Sequence, residues 1–185
     1  MDKIKVVAQK LPKAERIFSG LLRIQTILAN PDKYFDKTES VGGWIKNMRL
    51  QANDTLIFIE LTDGSCATPF QVVVQDTIAN FKDLLKQNVA ASLRVTGTLV
   101  KSPAKGQLIE MLCKDPELHK IDILGENTDA ANYPLMGKYP SLELLRANLH
   151  LRPRTNLISA VARTRSCLSM ATHQFFQELG FLYVH

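Results

Sequence analysis

Cysteine is scarce in this chain of 185 residues: there are three, Cys66, Cys113 and Cys167, far apart and without a CxxC pair or histidines at metal-ligand spacing. That scarcity excludes a disulfide framework and a zinc site, and leaves ordinary reduced thiols of an intracellular protein. Long apolar runs are missing too. No stretch reaches the length of a membrane span, and the N-terminus lacks the uninterrupted apolar core of a secretory signal, so a soluble chain without a membrane partner is expected. Acidic residues are absent between Glu143 and Glu178, where Arg146, Arg152, Arg154, Arg163 and Arg165 together equal the whole formal net charge of +5. From Thr38 to Ile123, by contrast, nine Lys or Arg face ten Asp or Glu. A surface for indiscriminate polyanion binding needs a stronger bias than that.

What is present suffices for one good core and part of a second, at 45% hydrophobic content. The first residues are basic (Lys3, Lys5, Lys10, Lys13, Arg16) and fit an organelle-targeting tail or a plain solvated extension; Asp2 and Glu15 favour the extension. From Ala14 to Asn30, Ile17, Leu21, Ile24 and Leu28 keep a helical spacing closed by Asn30 and Pro31. "SVGGWIKNMRL" follows, a strand bent or bulged by Gly42 and Gly43. "TLIFIELTDGS" alternates, with Ile57, Ile59 and Leu61 on one face and Leu56, Phe58 and Glu60 on the other, and turns at Asp63 and Gly64. "TPFQVVVQ" then puts Phe70, Val72 and Val74 inward and Gln71, Val73 and Gln75 outward.

The period then changes. Asp76 or Thr77 is placed to cap a helix with inner face Ile78, Phe81, Leu84 and Leu85, ending near Asn88. Two more strands, "SLRVTGTLVKS" and "QLIEMLCK", flank the loop Pro103 to Gly106. Three strands, one helix and two strands is the order of a five-stranded OB-fold barrel, an α+β chain that is mainly β. In such barrels, ligand strands lie across strands 2 and 3, under the loop between strands 1 and 2 and the loop between strands 4 and 5. Here those loops are "LQAND" and "SPAKG".

On that face Phe58 is either half covered or left open as a stacking platform for an unstacked base. Gln71 can offer a donor and an acceptor to a base edge, whereas an ionised Glu110 only accepts. Glu110 equally suits a rim carboxylate paired with Lys101 or Lys105. Arg49 fits a phosphate contact or a solvated strand end, because the glycine bend obscures its face.

The barrel, 38–123, follows an N-terminal extension and helix, 1–37. A connector and hinge, 124–154, carries a short helix from Ser141 to Leu149 and then "HLRPRTN", where Pro153 keeps Arg152 and Arg154 on an extended hinge. The last segment, 155–185, is a long amphipathic helix to about Leu179, with Leu157, Val161, Leu168, Thr172, Phe175 and Leu179 on one side, ended by Gly180 before a strand-like "FLYVH". A dimer interface or a further domain would cover that stripe.

"VGGWIKNMR", "FIELTDGSC", "FQVVV", "SPAKGQLIEML", "YPLMGKYPSLELLRANLHLRPRTN" and "AVARTRSCLSMATHQFFQELGFLYVH" together resemble the N-terminal part of asparaginyl-tRNA synthetases, class II enzymes of the aspartyl, asparaginyl and lysyl subgroup. The resemblance runs from about Leu22 to His185. The GWI to FIEL pattern is shared across the subgroup, whereas "HLRPRTN" and "SPAKGQ" favour the asparaginyl branch. It implies a barrel that binds the anticodon of an asparagine-accepting tRNA, with Phe58 stacking on the central uridine and Gln71 reading its edge. It implies further base contacts from Glu110 and Arg49, and places Lys105, Gly106 and Gln107 where the third anticodon base is discriminated.

The intact family enzyme uses ATP and magnesium, works as a homodimer and is cytoplasmic, an organellar form being left open by the basic N-terminus. The resemblance makes 155–185 the start of its catalytic domain, an incomplete first class II motif, while the second and third motifs lie beyond this sequence, so no catalytic, cofactor or metal residue carries over, and the chain alone is expected to bind tRNA without charging it. Aspartyl or lysyl relatives, and a non-enzymatic OB module for single-stranded nucleic acid, are the alternatives.

Overall fold

In a computed structural model the described residues are 20–51, 55–104, 106–135 and 140–184. Six strands form one sheet: β1 (Thr38–Gln51), β2 (Leu56–Thr62), β3 (Phe70–Gln75), β4 (Ser92–Lys101), β5 (Ile109–Cys113) and β6 (Lys120–Gly125). The order β1-β2-β3-β5-β4 is closed by a β1 to β4 pairing, which makes the five-stranded barrel. All pairings are antiparallel except β3 with β5. The barrel is the one expected from the strand order.

β1 is long enough to serve two neighbours. Its first half, Thr38 to Trp44, pairs with β4, and its second half, Trp44 to Gln51, pairs with β2. The bulge lies at Lys46, between Ile45 and Asn47, rather than at the glycines. Gly43 serves close approach instead: a Cβ there would fall 2.5 Å from the Thr62 carbonyl oxygen.

Period-2 alternation sends Ile57, Ile59, Leu61, Phe70, Val72, Val74, Leu93, Val95, Leu99 and Met111 into one core. Full burial of each such side chain contributes about 1.5–3 kcal/mol before entropy is counted.

Three expectations about the helices and the hinge need correction. The N-terminal helix, α1, is Ile24–Ala29; residues 14–19 of the expected helix lie outside the described residues. Gly20 is left-handed (φ 77°) and Leu22 donates its N–H to the Ser40 carbonyl, so this stretch lies along β1 instead of coiling. The helix between strands 3 and 4 shrinks to one turn, α2 (Phe81–Leu84). Thr77 does not cap it, because its hydroxyl donates to the Lys114 carbonyl at 2.6 Å, and Asn80 donates its amide to the Ile121 carbonyl. Its expected inner residues Ile78, Phe81 and Leu84 are nonetheless buried. Arg152–Arg154, finally, is a 3-10 turn and not an extended hinge, since Pro153 sits in the first turn where no N–H is needed.

The sixth strand, β6, was not expected. It pairs with the first half of β4, on the edge that β5 leaves when β4 reaches Gly97.

The chain divides into two compact units, 1–127 and 128–185. The second holds α3 (Leu142–Ala147), capped by Ser141 Oγ accepting from Leu144 N, and the 23-residue α4 (Asn156–Glu178). Gly180 (φ 86°) ends α4, with Phe181 N donating back to the Phe176 carbonyl. Leu157, Val161, Leu168, Phe175 and Leu179 are exposed, and Phe181–Val184 forms no strand. No described helix is long and apolar enough to cross a membrane.

Candidate nucleic-acid interface

The outer face of β1, β2, β3 and β5 is ruled into rows by the strand register. One row is Arg49, Phe58, Val73 and Leu112, each the cross-strand partner of the next. The neighbouring row is Asn47, Glu60 and Gln71. The bulge at Lys46 sets the parity that the glycines obscured, so Arg49 shares the face of Phe58.

Phe58 is half-buried, and the Arg49 guanidinium carbon lies 5.2 Å from its ring centroid. Cation and ring attract through the ring's negative face. Arg49 takes part in no ion pair among the described residues. It is thus neither a plain strand end nor pinned by a carboxylate: its fork of donors rests on an aromatic surface and stays available.

Glu110 is 6% exposed, which rules out a solvated rim carboxylate. Its Oε2 accepts from Gln71 Nε2 at 2.9 Å and from Ser102 Oγ at 2.8 Å, and it makes no salt bridge with Lys101. Because an ionised carboxylate can only accept, the nitrogen end of the Gln71 amide must be the end that faces it. Gln71 Oε1 is therefore turned away from Glu110, and it carries no hydrogen bond among the described residues. The arrangement fixes which end of the amide a ligand meets.

Ser102, to which the sequence assigns no role, also supports this face. Its Oγ donates to Glu110 while accepting from Ala104 N at 3.2 Å, which ties the start of the β4 to β5 loop to the carboxylate. A hydroxyl next to Pro103 is the only trace of this in the sequence, and it reads as ordinary turn chemistry. Gln107 is not gathered onto the face: its Nε2 donates to the Ile109 carbonyl at 3.4 Å. Lys105 lies outside the described residues.

A platform ring, a loosely held guanidinium and an oriented amide form a surface suited to a flat heterocycle with polar edges. The family of OB-fold nucleic acid binding domains matches residues 39–119. The asparagine–tRNA ligase of Pasteurella multocida is 42% identical over 149 residues, which is 80% of this chain and 31% of that protein. The chain carries an OB-fold domain closely related to the N-terminal region of asparaginyl-tRNA synthetases.

The asparagine–tRNA ligase of Glaesserella parasuis is 38% identical over 176 residues, 95% of this chain and 34% of that protein. The chain thus spans about a third of the length of these curated relatives. A crystal structure of asparaginyl-tRNA synthetase from Pyrococcus horikoshii, complexed with asparaginyl-adenylate, shares the fold with a TM-score of 0.73 at 19% identity, over 89% of this chain and 36% of that one. The asparaginyl-tRNA synthetase resemblance carried by the quoted motifs is borne out.

Proposed function

We propose that the chain binds the anticodon loop of an asparagine-accepting tRNA, with Phe58 stacking on the central uridine and Gln71 reading that base's edge. The observation that carries this is the Gln71 to Glu110 hydrogen bond. With its nitrogen end held by the carboxylate, Gln71 offers Oε1 outward as an acceptor. Uracil meets it with the N3–H donor. Cytosine and adenine bring an unprotonated ring nitrogen to the same place, so two acceptors would face each other, at a cost of about 1–3 kcal/mol. Stacking on Phe58 contributes roughly 1–3 kcal/mol and is indifferent to the base. Arg49, once lifted from the ring, donates to a base oxygen or a flanking phosphate. Lys105 and Gln107, on the β4 to β5 loop, are assigned to the third anticodon base.

By its relation to asparagine–tRNA ligases, the whole protein attaches asparagine to tRNA with ATP and magnesium, as a cytoplasmic homodimer joined through the exposed stripe of α4. Among the described residues, no group of three or more His, Cys, Asp or Glu is placed to hold a metal ion. The chain by itself binds RNA and does not activate asparagine.

The test is a titration of the 185-residue chain with an asparagine anticodon stem-loop, the same stem-loop with its central uridine replaced by cytidine, and an unrelated single strand. The expected order is tight, weaker, weakest. Equal binding to all three, with a steep salt slope, would support a sequence-indifferent OB module instead.

A further inference from the structure

His119 ends the turn between β5 and β6 and is 5% exposed. Its Nδ1 accepts two backbone N–H bonds, from Lys114 at 3.0 Å and from Asp115 at 3.1 Å. A ring nitrogen that accepts carries no proton, so the proton of the neutral ring sits on Nε2. From there it points to Thr98 Oγ1 on β4, 2.9 Å away, and Thr98 Oγ1 lies 3.2 Å from Thr38 Oγ1 on β1. His119 N also donates to the Asp115 carbonyl at 2.8 Å. One neutral imidazole thus ties the turn to the seam that closes the barrel.

We propose that His119 is a proton-operated latch, which fastens the 114–119 turn to the β4 to β1 seam while its ring is neutral and releases the turn when Nδ1 gains a proton. The proton comes from solvent. Its arrival turns the acceptor shared by the Lys114 and Asp115 N–H groups into a third donor, so the two N–H to nitrogen bonds break and the ring must leave. The other groups around it cannot substitute. Thr98, Thr38 and Thr77 are uncharged hydroxyls. Asp115 uses its Oδ1 on the backbone N–H groups of Glu117 and Leu118, and on β6 Lys120 and Asp122 pair with each other at 2.7 Å.

Geometry and charge point the same way. Burial pushes the ring's pKa below its ordinary 6.5, opposed by the Asp115 carboxylate and aided by the Lys114 ammonium. A histidine whose folded-state pKa is depressed contributes fully at pH above 6.5, and that contribution is lost as pH falls through 6.5 toward the folded-state value. Lys114 is held at its other end by the Thr77 hydroxyl, so release begins on the amide side.

The experiment is an NMR titration of the full chain from about pH 8 to pH 5, across the histidine range, following the His119 ring and the exchange of the Lys114 and Asp115 amides. The expected result is that His119 titrates below 6.5 and that both amides lose their exchange protection in step with it. Amides that stay protected through the ring's titration overturn the proposal, and so does a ring that titrates above 6.5. His119→Gln should flatten the decline of thermal stability over the same range; a variant that folds and declines as steeply as the parent also overturns it. These readouts need no RNA and stand apart from the RNA assignment.

Discussion

Gln71 on β3 and Glu110 on β5 are joined by a 2.9 Å hydrogen bond across two parallel strands, and the second partner is almost wholly buried. A buried carboxylate that only accepts dictates how its amide neighbour stands. Under the proposed anticodon reading, selectivity on this face resides in that pair of side chains, with Ser102 holding the far side of the carboxylate.

Glu110→Gln should uncouple affinity from selectivity. A glutamine at this position can donate or accept, so Gln71 is free to turn either end outward. Binding of the uridine stem-loop is expected to persist, while discrimination against cytidine shrinks by about 1–3 kcal/mol. The ratio of the two dissociation constants measures it.

Phe58→Ala should weaken every stem-loop alike, by about 1–3 kcal/mol or roughly 5- to 150-fold in Kd. Because the ring is half-buried on the outer face and outside the core cluster, the folded state should lose far less than it would at Phe70, which is 1% exposed. Isothermal calorimetry and urea denaturation on the same variant separate the two effects.

Much of this architecture is legible in the sequence wherever one strand alone decides it. The alternation of Ile57, Ile59 and Leu61 against Phe58 fixes both a core face and an odd outward aromatic, and the structure keeps both. What is hidden depends on partners distant in the chain. The start of α1 is set by Asp63 and Ser65, 39 and 40 positions away from the amides they accept. β6 is a short mixed run whose strand state comes from the open edge of β4. Arg49 could not be assigned to a face because the bulge that sets its parity sits at Lys46, not at Gly42 or Gly43.

Asp63→Ala should loosen α1. Asp63 Oδ2 accepts from Ile24 N at 2.9 Å and Oδ1 accepts from Ser65 N at 2.9 Å and Ser65 Oγ at 2.6 Å, while Ser65 Oγ accepts from Gln25 N at 3.0 Å. A cap of this kind contributes about 0.5–2 kcal/mol. Faster amide exchange at Ile24 and Gln25, without change in the β2 to β3 ladder, is the expected signature.

Gly97→Ala should destabilise the barrel by about 1–3 kcal/mol, as overpacking does. The added Cβ would lie 2.7 Å from Cys113 Sγ and 2.7 Å from Met111 Cγ at the place where β4 exchanges β6 for β5. A lower urea midpoint with unchanged m-value checks it.

Cys113 should be inert to thiol reagents in the native chain. Burial pushes its thiol up to about 12, so at pH 8 virtually no thiolate exists and no reagent reaches it. Cys167 is exposed on α4 and should react first. Mass spectrometry after brief labelling, with and without denaturant, distinguishes the two.

The most direct measurement is the imino proton of the central uridine, observed by NMR in a stem-loop carrying 15N-labelled uridine and saturated with the chain. An unpaired loop uridine exchanges this proton with water too fast to be seen; bonded to Gln71 Oε1 and stacked on Phe58, it should give a protected resonance with contacts to the Phe58 ring. A saturated complex in which that proton stays invisible, or a resonance that survives Gln71→Leu unchanged, would contradict base reading by this face.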